Sequence, residues 1–451
     1  MMPTKYLSRI LWISLAWILP LQASAASDPR VRLVKKGSGL SLDEAMQRAE
    51  KESSALKSLE AARQASEARA DQAGDSKGPR LSLEAQRAWI DTDVNKLAGK
   101  TLPNGIRNPD NVNTAGVVVT QPLTGWFALN NKEEAEQHLT EAARADYEAS
   151  VQDLRSRSAE TFLRVLKATR LRDIARQSLG VIQKQKNDAE ALRRQGKLAQ
   201  LDFDRFSFAE SEAITQLSDA ESQLLVAAAA LREQINLPAD QELVLEDIES
   251  QTTVNAQNHS DQRSELRSAA ERAEAFKSYR AAAQIDYYPT VNAFARFDRD
   301  FAAEDIVIPI PGAPTYPKED YRDRFTYGLS LNWVLWDGLA RKARVRELTA
   351  ESERVTLQRA ALASNLRIEE AQTAAEYDKA QQTLRNAEVS ARLSEEIFEA
   401  FTAKFQNGLA TTTDVLSAER DLTRARAQLA STGYDLQMAA IRYNRAHGSK
   451  L

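Results

Sequence analysis

Side chains able to do chemistry are few in this sequence, and they do not converge. The three histidines, His138, His259 and His447, lie too far apart for the short spacing of a metal site. Cysteine is absent, which removes thiolate metal sites, disulfides and any lipid anchor on an N-terminal cysteine. No phosphate loop, nucleophile elbow or HExxH helix is present, so no catalytic residue, metal ligand or cofactor is assigned and an enzyme is not expected. What does recur is a glycine followed six positions later by an aspartate. Gly196 and Asp202 stand in "RRQGKLAQLDF", Gly408 and Asp414 in "KFQNGLATTTDVL", and the two pairs are offset by 212 positions. Glycine suits a helix end that needs a left-handed residue, and a carboxylate soon after suits the free N–H groups of a returning helix. The chain therefore turns twice, at two equivalent tips.

The elements that must hold these tips are read from the prolines. None lies between Pro122 and Pro238 or after Pro317, and both stretches are rich in Ala, Leu, Glu, Gln, Arg and Lys. Long helices are expected there. From Trp126 to Arg194 is 69 residues, which at ~1.5 Å each reaches roughly 100 Å. The return helices carry a heptad seam. Val415, Ala418, Leu422, Ala425, Leu429, Thr432, Leu436, Ala439 and Tyr443 step by three and four, and the same positions less 212 are apolar except Glu210.

The remaining prolines fall mainly in two windows that alternate like strands. In "GPRLSLEAQRAWIDTD" Leu81, Leu83, Ala85 and Trp89 oppose Ser82, Glu84 and Gln86. In "RFTYGLSLNWVLWDG" Phe325, Tyr327, Leu329, Leu331, Trp333 and Leu335 oppose Thr326, Gly328, Ser330 and Asn332. With "NTAGVVVTQPLTG" and "YYPTVNAFARFDRDF" they make four strands, expected as two hairpins with long loops. Trp89, Trp126, Trp333 and Trp336 all lie in or just beyond these strands, as an interfacial aromatic girdle requires. Phe325 to Leu335 spans eleven residues, the length of a tilted membrane strand. These features favour a membrane barrel over a small soluble sheet.

The offset extends to Gly116 and Gly328 and to Leu123 and Leu335, so the chain reads as an internal duplication. A secretory signal is expected over residues 1–25, with Lys5 and Arg9, the apolar "ILWISLAWILPL" and the cleavage site Ala23-Ser24-Ala25. The first repeat is expected over 26–245, with a β-hairpin at about 80–123 and a helical hairpin at 125–236. The second is expected over 246–451, with a β-hairpin at about 288–336 and a helical hairpin at 338–447. The chain carries 60 basic and 64 acidic residues, a balance that gives nucleic acid no footing as a partner.

Four strands cannot close a barrel, and open edges are not tolerated in lipid. The fold class that follows is mainly α with transmembrane β, completed by several copies. Three copies give twelve strands and a lumen, extended by helical hairpins into a pipe. The alternative from another class is an exported periplasmic coiled-coil scaffold without a pore.

The order of these features resembles the TolC-like outer membrane efflux protein family. The resemblance rests on the duplicated halves, the strand-to-helix turn "LSLNWVLWDGLARKARV" and the tip "FQNGLATTTDVLSAERDL". It implies a homotrimer in the cell outer membrane, with a twelve-stranded barrel in the lipid and a helical barrel in the periplasm. A periplasmic adaptor and an inner membrane transporter, of ABC or RND type, would complete a tripartite export system. The missing lipid-anchor cysteine tilts the cargo toward protein, as in type I secretion, with drug or metal efflux still open. Carried over residue by residue, Asp414 resembles an acid of the ring at the channel entrance, while the second acid of that ring is replaced by Ser417. Asp202 resembles a tip acid that in some members locks to a Tyr and an Arg. Those positions are Phe405 and Ala410 here, so any such lock must be held differently. Gly196 and Gly408 match the tip glycines that face the adaptor.

Overall fold

The computed structural model describes residues 31–34, 37–89, 111–238, 240–248, 254, 263–301 and 321–449. The expected signal segment 1–25, the loops between paired strands and His259 lie outside the described residues. In chain order come β1 (Val31–Val34), α1 (Leu42–Glu52), α2 (Ser54–Asp75), β2 (Arg80–Trp89), β3 (Asn111–Pro122), α3 (Trp126–Arg194) and α4 (Gln200–Gln234). Then follow β4 (Leu243–Glu246), α5 (Ser264–Ile285), β5 (Thr290–Phe301), β6 (Tyr321–Asn332), α6 (Ala340–Gln406) and α7 (Thr412–Ala446). No described helix is long and apolar enough to cross a membrane.

The helix α3 runs the 69 residues read from the sequence, and α6 runs 67. Both stop in the same way. Lys197 N–H donates to the Leu192 carbonyl at 3.0 Å and Gly196 N–H to that of Arg193 at 2.9 Å, with Gly196 at φ +71°. At the other tip Leu409 donates to Lys404 at 2.9 Å and Gly408 to Phe405 at 3.0 Å, again with φ +71°. This six-to-one closure satisfies carbonyls that the helix leaves unpaired, and only glycine takes its φ without a Cβ penalty.

The main sheet is antiparallel in the order β2-β3-β5-β6, leaving β2 and β6 as open edges. Its register explains the offset between the halves. The helices α2 and α5 are 210 positions apart at both ends, Ser54 to Ser264 and Asp75 to Ile285. Carrying 210 into the first strands maps Leu81, paired with Val119, onto Val291, paired with Leu331. Val119 and Leu331 are 212 apart, as are α4 and α7 at both ends, so the second half is two residues longer between its strands. The last strand differs from the eleven-residue stretch expected at Phe325 to Leu335. Pairing begins at Tyr321 and stops at Asn332, where the chain leaves the sheet and Trp333 Nε1 donates instead to the Tyr287 carbonyl at 3.2 Å.

One face of this sheet is apolar across all four strands in its middle rows and ends on one side at the Arg299–Asp323 ion pair, 2.7 Å. Leu81, Leu83 and Ala85 align with Val119, Val117 and Ala115, then with Ala295, Phe297 and Arg299. Tyr327, Phe325 and Asp323 complete those rows. The opposite face carries Ser82, Glu84, Thr120, Asn292, Arg296, Asp298, Thr326 and Ser330. There Arg296 bonds Glu84 at 2.9 Å and Asp298 at 2.7 Å. Gly116 sits where any Cβ would collide with Asp298. On the apolar face Leu83 is 78% and Tyr327 74% exposed in the single chain.

The main apolar core lies away from the sheet, midway along the helices. Phe162, Leu163 and Leu166 of α3 meet Leu224 and Leu231 of α4, Ile441 of α7 and Ala45 and Ala49 of α1. It is roofed by two short parallel strands that the sequence reading did not foresee, β1 and β4, paired Val31 to Leu243 through Val34 to Glu246. Beside it an ion cluster ties four helices. Arg263, only 5% exposed, bonds Glu265 at 2.8 Å and Glu369 of α6 at 2.7 Å. Arg445 of α7 bonds the same Glu265 and, at 2.7 Å, Asp153 of α3. Burial alone would raise the Glu265 carboxyl, but the two guanidinium groups outweigh it and pull its pKa down to about 2. A depressed folded-state pKa stabilises the fold above the unfolded value near 4.5, and that stability is lost as the pH falls toward 2. Glu265→Gln should therefore cost roughly 2–3 kcal/mol at pH 7. The gap between wild-type and variant melting midpoints should narrow in melts taken from pH 4.5 downward and close only near pH 2.

Candidate channel entrance at the helical tips

The two tips share a backbone and differ in how their return helices begin. Asp202 and Asp414 both sit three residues past the helix cap, Ala199 in α4 and Thr411 in α7. In α7 the cap is reciprocal. Asp414 N–H donates to Thr411 Oγ1 at 3.2 Å, while Thr411 N–H and Oγ1–H donate to Asp414 Oδ2 at 2.8 and 2.7 Å. These bonds hold the Asp414 carboxyl below the usual aspartate range, led by the Thr411 hydroxyl. Alanine has no side chain to do the same for α4. Asp202 instead lies 3.8 Å from Arg205 on its own helix. The two acids are therefore equivalent in position but not in freedom: Asp414 is tied into its cap.

Phe405, the position where a lock tyrosine was sought, turns edge-on to Phe206 of α4, with ring centroids 6.2 Å apart at 64°. The pair closes a small apolar cluster with Ile182 and Ala189 of α3, Ala209 and Ala213 of α4 and Leu416 of α7. Around it polar bonds join the two hairpins. Arg205 donates to the Thr413 hydroxyl, and Arg420 reaches Glu212 at 3.5 Å. Ser178 of α3 donates to Glu419 at 2.6 Å, as does Thr423 at 2.9 Å, which hydrogen-bonds a carboxylate only 5% exposed. Glu210, the polar member of the first seam, pairs with Lys186 of α3 at 2.6 Å, and this bond lowers its pKa. Ser417 is exposed and lines an open groove of about 350 Å³ with Leu201, Arg205, Phe208 and Arg420. Ala410 is half-buried and offers no polar side chain.

The sequence reading missed Arg205, Glu212, Thr413, Glu419 and Arg420, and placed Phe206 only in the apolar seam. One signal was available. Arg205 and Glu212 are seven apart, as are Thr413 and Arg420, so both cross-hairpin bonds recur at the heptad repeat beside the apolar seam.

The tryptophans fall at the two ends of the main sheet. Trp126 opens α3, Trp333 follows β6, and Trp336, 75% exposed, lies in the turn before α6. Trp89 ends β2 at the far side, under the Arg87 guanidinium at 5.1 Å.

Because Phe405 covers Phe206, Phe405→Ala should loosen the tips by roughly 2–4 kcal/mol. Hydrogen exchange read by mass spectrometry should rise at residues 198–213 and 401–416, and the core around Phe162 should keep its protection.

Comparison with known proteins accounts for this architecture. The family model described as "Outer membrane efflux protein" matches residues 45–237 and 256–449. Among solved structures, the transmembrane channel protein CusC superposes with a TM-score of 0.75 at 16% identity, over 93% of this chain and 94% of its own. The outer membrane protein VceC of Vibrio cholerae gives 0.75 at 17% identity, over 90% and 96%. The open state of the MtrE outer membrane channel of Neisseria gonorrhoeae gives 0.71 at 14%, over 100% and 98%. No curated protein sequence matches the chain. At these identities the solved structures establish the fold, and the family model, covering both halves, establishes descent: the chain belongs to the outer membrane efflux protein family, a family of channels and not of enzymes.

Proposed function

We propose that three copies of this chain close a twelve-stranded barrel in the outer membrane and a helical tunnel in the periplasm, forming the exit duct of a tripartite export system. That the protein is an outer membrane efflux channel follows from its family. The finer reading is carried by one observation: the main sheet exposes a continuous apolar face and ends in two unpaired strands, β2 and β6. In water such a face is an aggregation site and such edges are templates for pairing. In lipid the face is at home, and β6 of one copy pairing β2 of the next removes both edges. A coiled-coil scaffold without a pore would leave face and edges wet.

In this reading Trp89 marks one membrane boundary and Trp126, Trp333 and Trp336 the other. The chain divides into repeats at 26–245 and 246–451. The tips, with Gly196, Gly408, Phe405, Ala410, Asp202 and Ser417, form the periplasmic entrance and meet an adaptor, which couples the duct to an ABC or RND transporter in the inner membrane. The Phe206–Phe405 contact and the Arg205–Thr413 and Glu212–Arg420 bonds hold the entrance closed in place of a lock built on a Tyr and an Arg. Cargo passes passively, protein or small molecule, and the transporter supplies the energy. Asp414 rings the entrance three times and gives it a field attractive to cations.

Two measurements test this. The protein extracted from outer membranes should have the mass of three chains in detergent and should conduct in planar bilayers; a soluble monomer without conductance would overturn the duct. Asp414→Ala should weaken block of that conductance by a trivalent cation added at the periplasmic side roughly tenfold or more. Unchanged block would remove Asp414 from the entrance.

A further inference from the structure

We infer that the start of α6 is a docking surface for anionic phospholipid headgroups of the periplasm-facing leaflet, built on Lys342 and Arg346. The inference rests on the reading of the sheet's apolar face as lipid-facing. Between Asp337 and Glu347 the chain places Arg341, Lys342, Arg344 and Arg346 with no acid among them. Two of the four are engaged. Arg341 bonds Asp337 at 2.8 Å and caps the Asp286 and Val334 carbonyls, and Arg344 pairs with Glu347 at 2.8 Å. Lys342 and Arg346 are exposed. Neither has an acid at the next turn of its own helix, which carries Val345 and Arg346 after Lys342 and Thr349 and Ala350 after Arg346.

Position makes the charge specific. Cations at the start of a helix oppose its dipole, and the carboxylate that caps α6, Asp337, is taken up by the Leu339 and Arg341 N–H groups and the Arg341 guanidinium. A strip of exposed apolar residues lies directly above: Trp333, Val334, Leu335, Trp336 and Leu339. It continues the apolar face of β6 out of the sheet. Lys342 and Arg346 lie one turn apart on one stripe of α6, and Leu339 caps that helix in the left-handed region at φ +73°. Lys342 and Arg346 therefore lie ~4.5 and ~10 Å below an exposed leucine, within reach of a headgroup layer for side chains that extend toward the polar boundary. Apolar residues above and unpaired cations below are what an anionic leaflet recognises, at ~1 kcal/mol per cation. Asp286, exposed at the end of α5, is a nearby carboxylate, and its backbone carbonyl accepts from Arg341 at 3.0 Å.

The first repeat supplies an internal control. At the same places, 212 positions earlier, it carries Asn130 and Glu134 below the exposed Trp126 and Phe127. The patch is thus a property of the second half alone, and Lys342→Asn with Arg346→Glu copies residues that the fold already accommodates.

The test is native mass spectrometry of the detergent-released protein offered phosphatidylglycerol and phosphatidylethanolamine together. Wild type should retain phosphatidylglycerol preferentially, and the K342N/R346E double variant should lose that preference by roughly tenfold or more, the equivalent of two cations at ~1 kcal/mol each. A milder K342Q/R346Q variant should lose it in part. Equal retention of both lipids by wild type, or an undiminished preference in either variant, would overturn the inference. So would full displacement of phosphatidylglycerol by millimolar inorganic phosphate, which would mark a free-anion site. Conductance of both variants in phosphatidylcholine bilayers should match wild type. If wild type itself fails to conduct there, the duct reading falls first, and the lipid test stands apart from it.

Discussion

A four-stranded sheet with an apolar face and two open edges is the constraint on which the rest of this molecule depends. The face runs Leu83, Val117, Phe297, Phe325 across the strands, one row among several, and none of these side chains meets a core within the chain. Burying such a face usually takes a second layer, a helix or another sheet. Here the helices run away from the sheet end instead of folding over it, because α3 begins four residues after β3 and continues for 69. Lipid and neighbouring copies are the remaining partners. The shape of the protein is thus decided by what its sheet cannot do alone.

The helical half answers a different demand. A helix of this length cannot be held by one core, so contacts are distributed along it. The apolar clusters around Phe162 and around Phe206 are separated by a stretch joined through polar pairs such as Arg176 with Glu221 and Ser178 with Glu419. The seam between clusters alternates large residues with alanine, which lets the helices approach closely. Buried alanines at 209, 213 and 220 of α4 and at 418, 425 and 439 of α7 show this on both return helices. Small residues bring little apolar area, so the hydrogen-bonded pairs help fix register where the apolar contact is thin.

Much of this was legible in the sequence because it is local. Proline-free length and the tip glycine together bracketed α3, glycine gave both tips, and alternation gave the strands, since each depends on backbone geometry within a few positions. The end of β6 was misplaced because alternation continues through Trp333 and Leu335 after the pairing stops: the pattern follows the apolar environment, and the pairing follows the partner strand. The parallel pair β1 and β4 was missed because each is four residues long and its partner lies over 200 positions away. At the entrance the acids were found, but the Thr411 tie on Asp414 and the Arg205–Thr413 bond were not. The first required choosing the N-cap residue, and the second joins positions 208 apart.

Duplication explains why the tips could be found and why their differences carry the information. Two copies of one template would give equivalent tips and equivalent helix starts, and a ring of such chains would approach sixfold sameness. Departures are concentrated where the repeats meet other things. Thr411 caps one return helix where Ala199 leaves the other without a side-chain cap. Phe206 and Phe405 are not repeat mates, since their counterparts 212 positions away are Ala418 and Arg193, yet they form the one aromatic pair between the hairpins among the described residues. A pair of large rings meeting across the repeats, where the template offers an alanine and an arginine, breaks the equivalence of the two hairpins at the tip. The shared residues set the architecture. Those that differ distinguish one hairpin from the other.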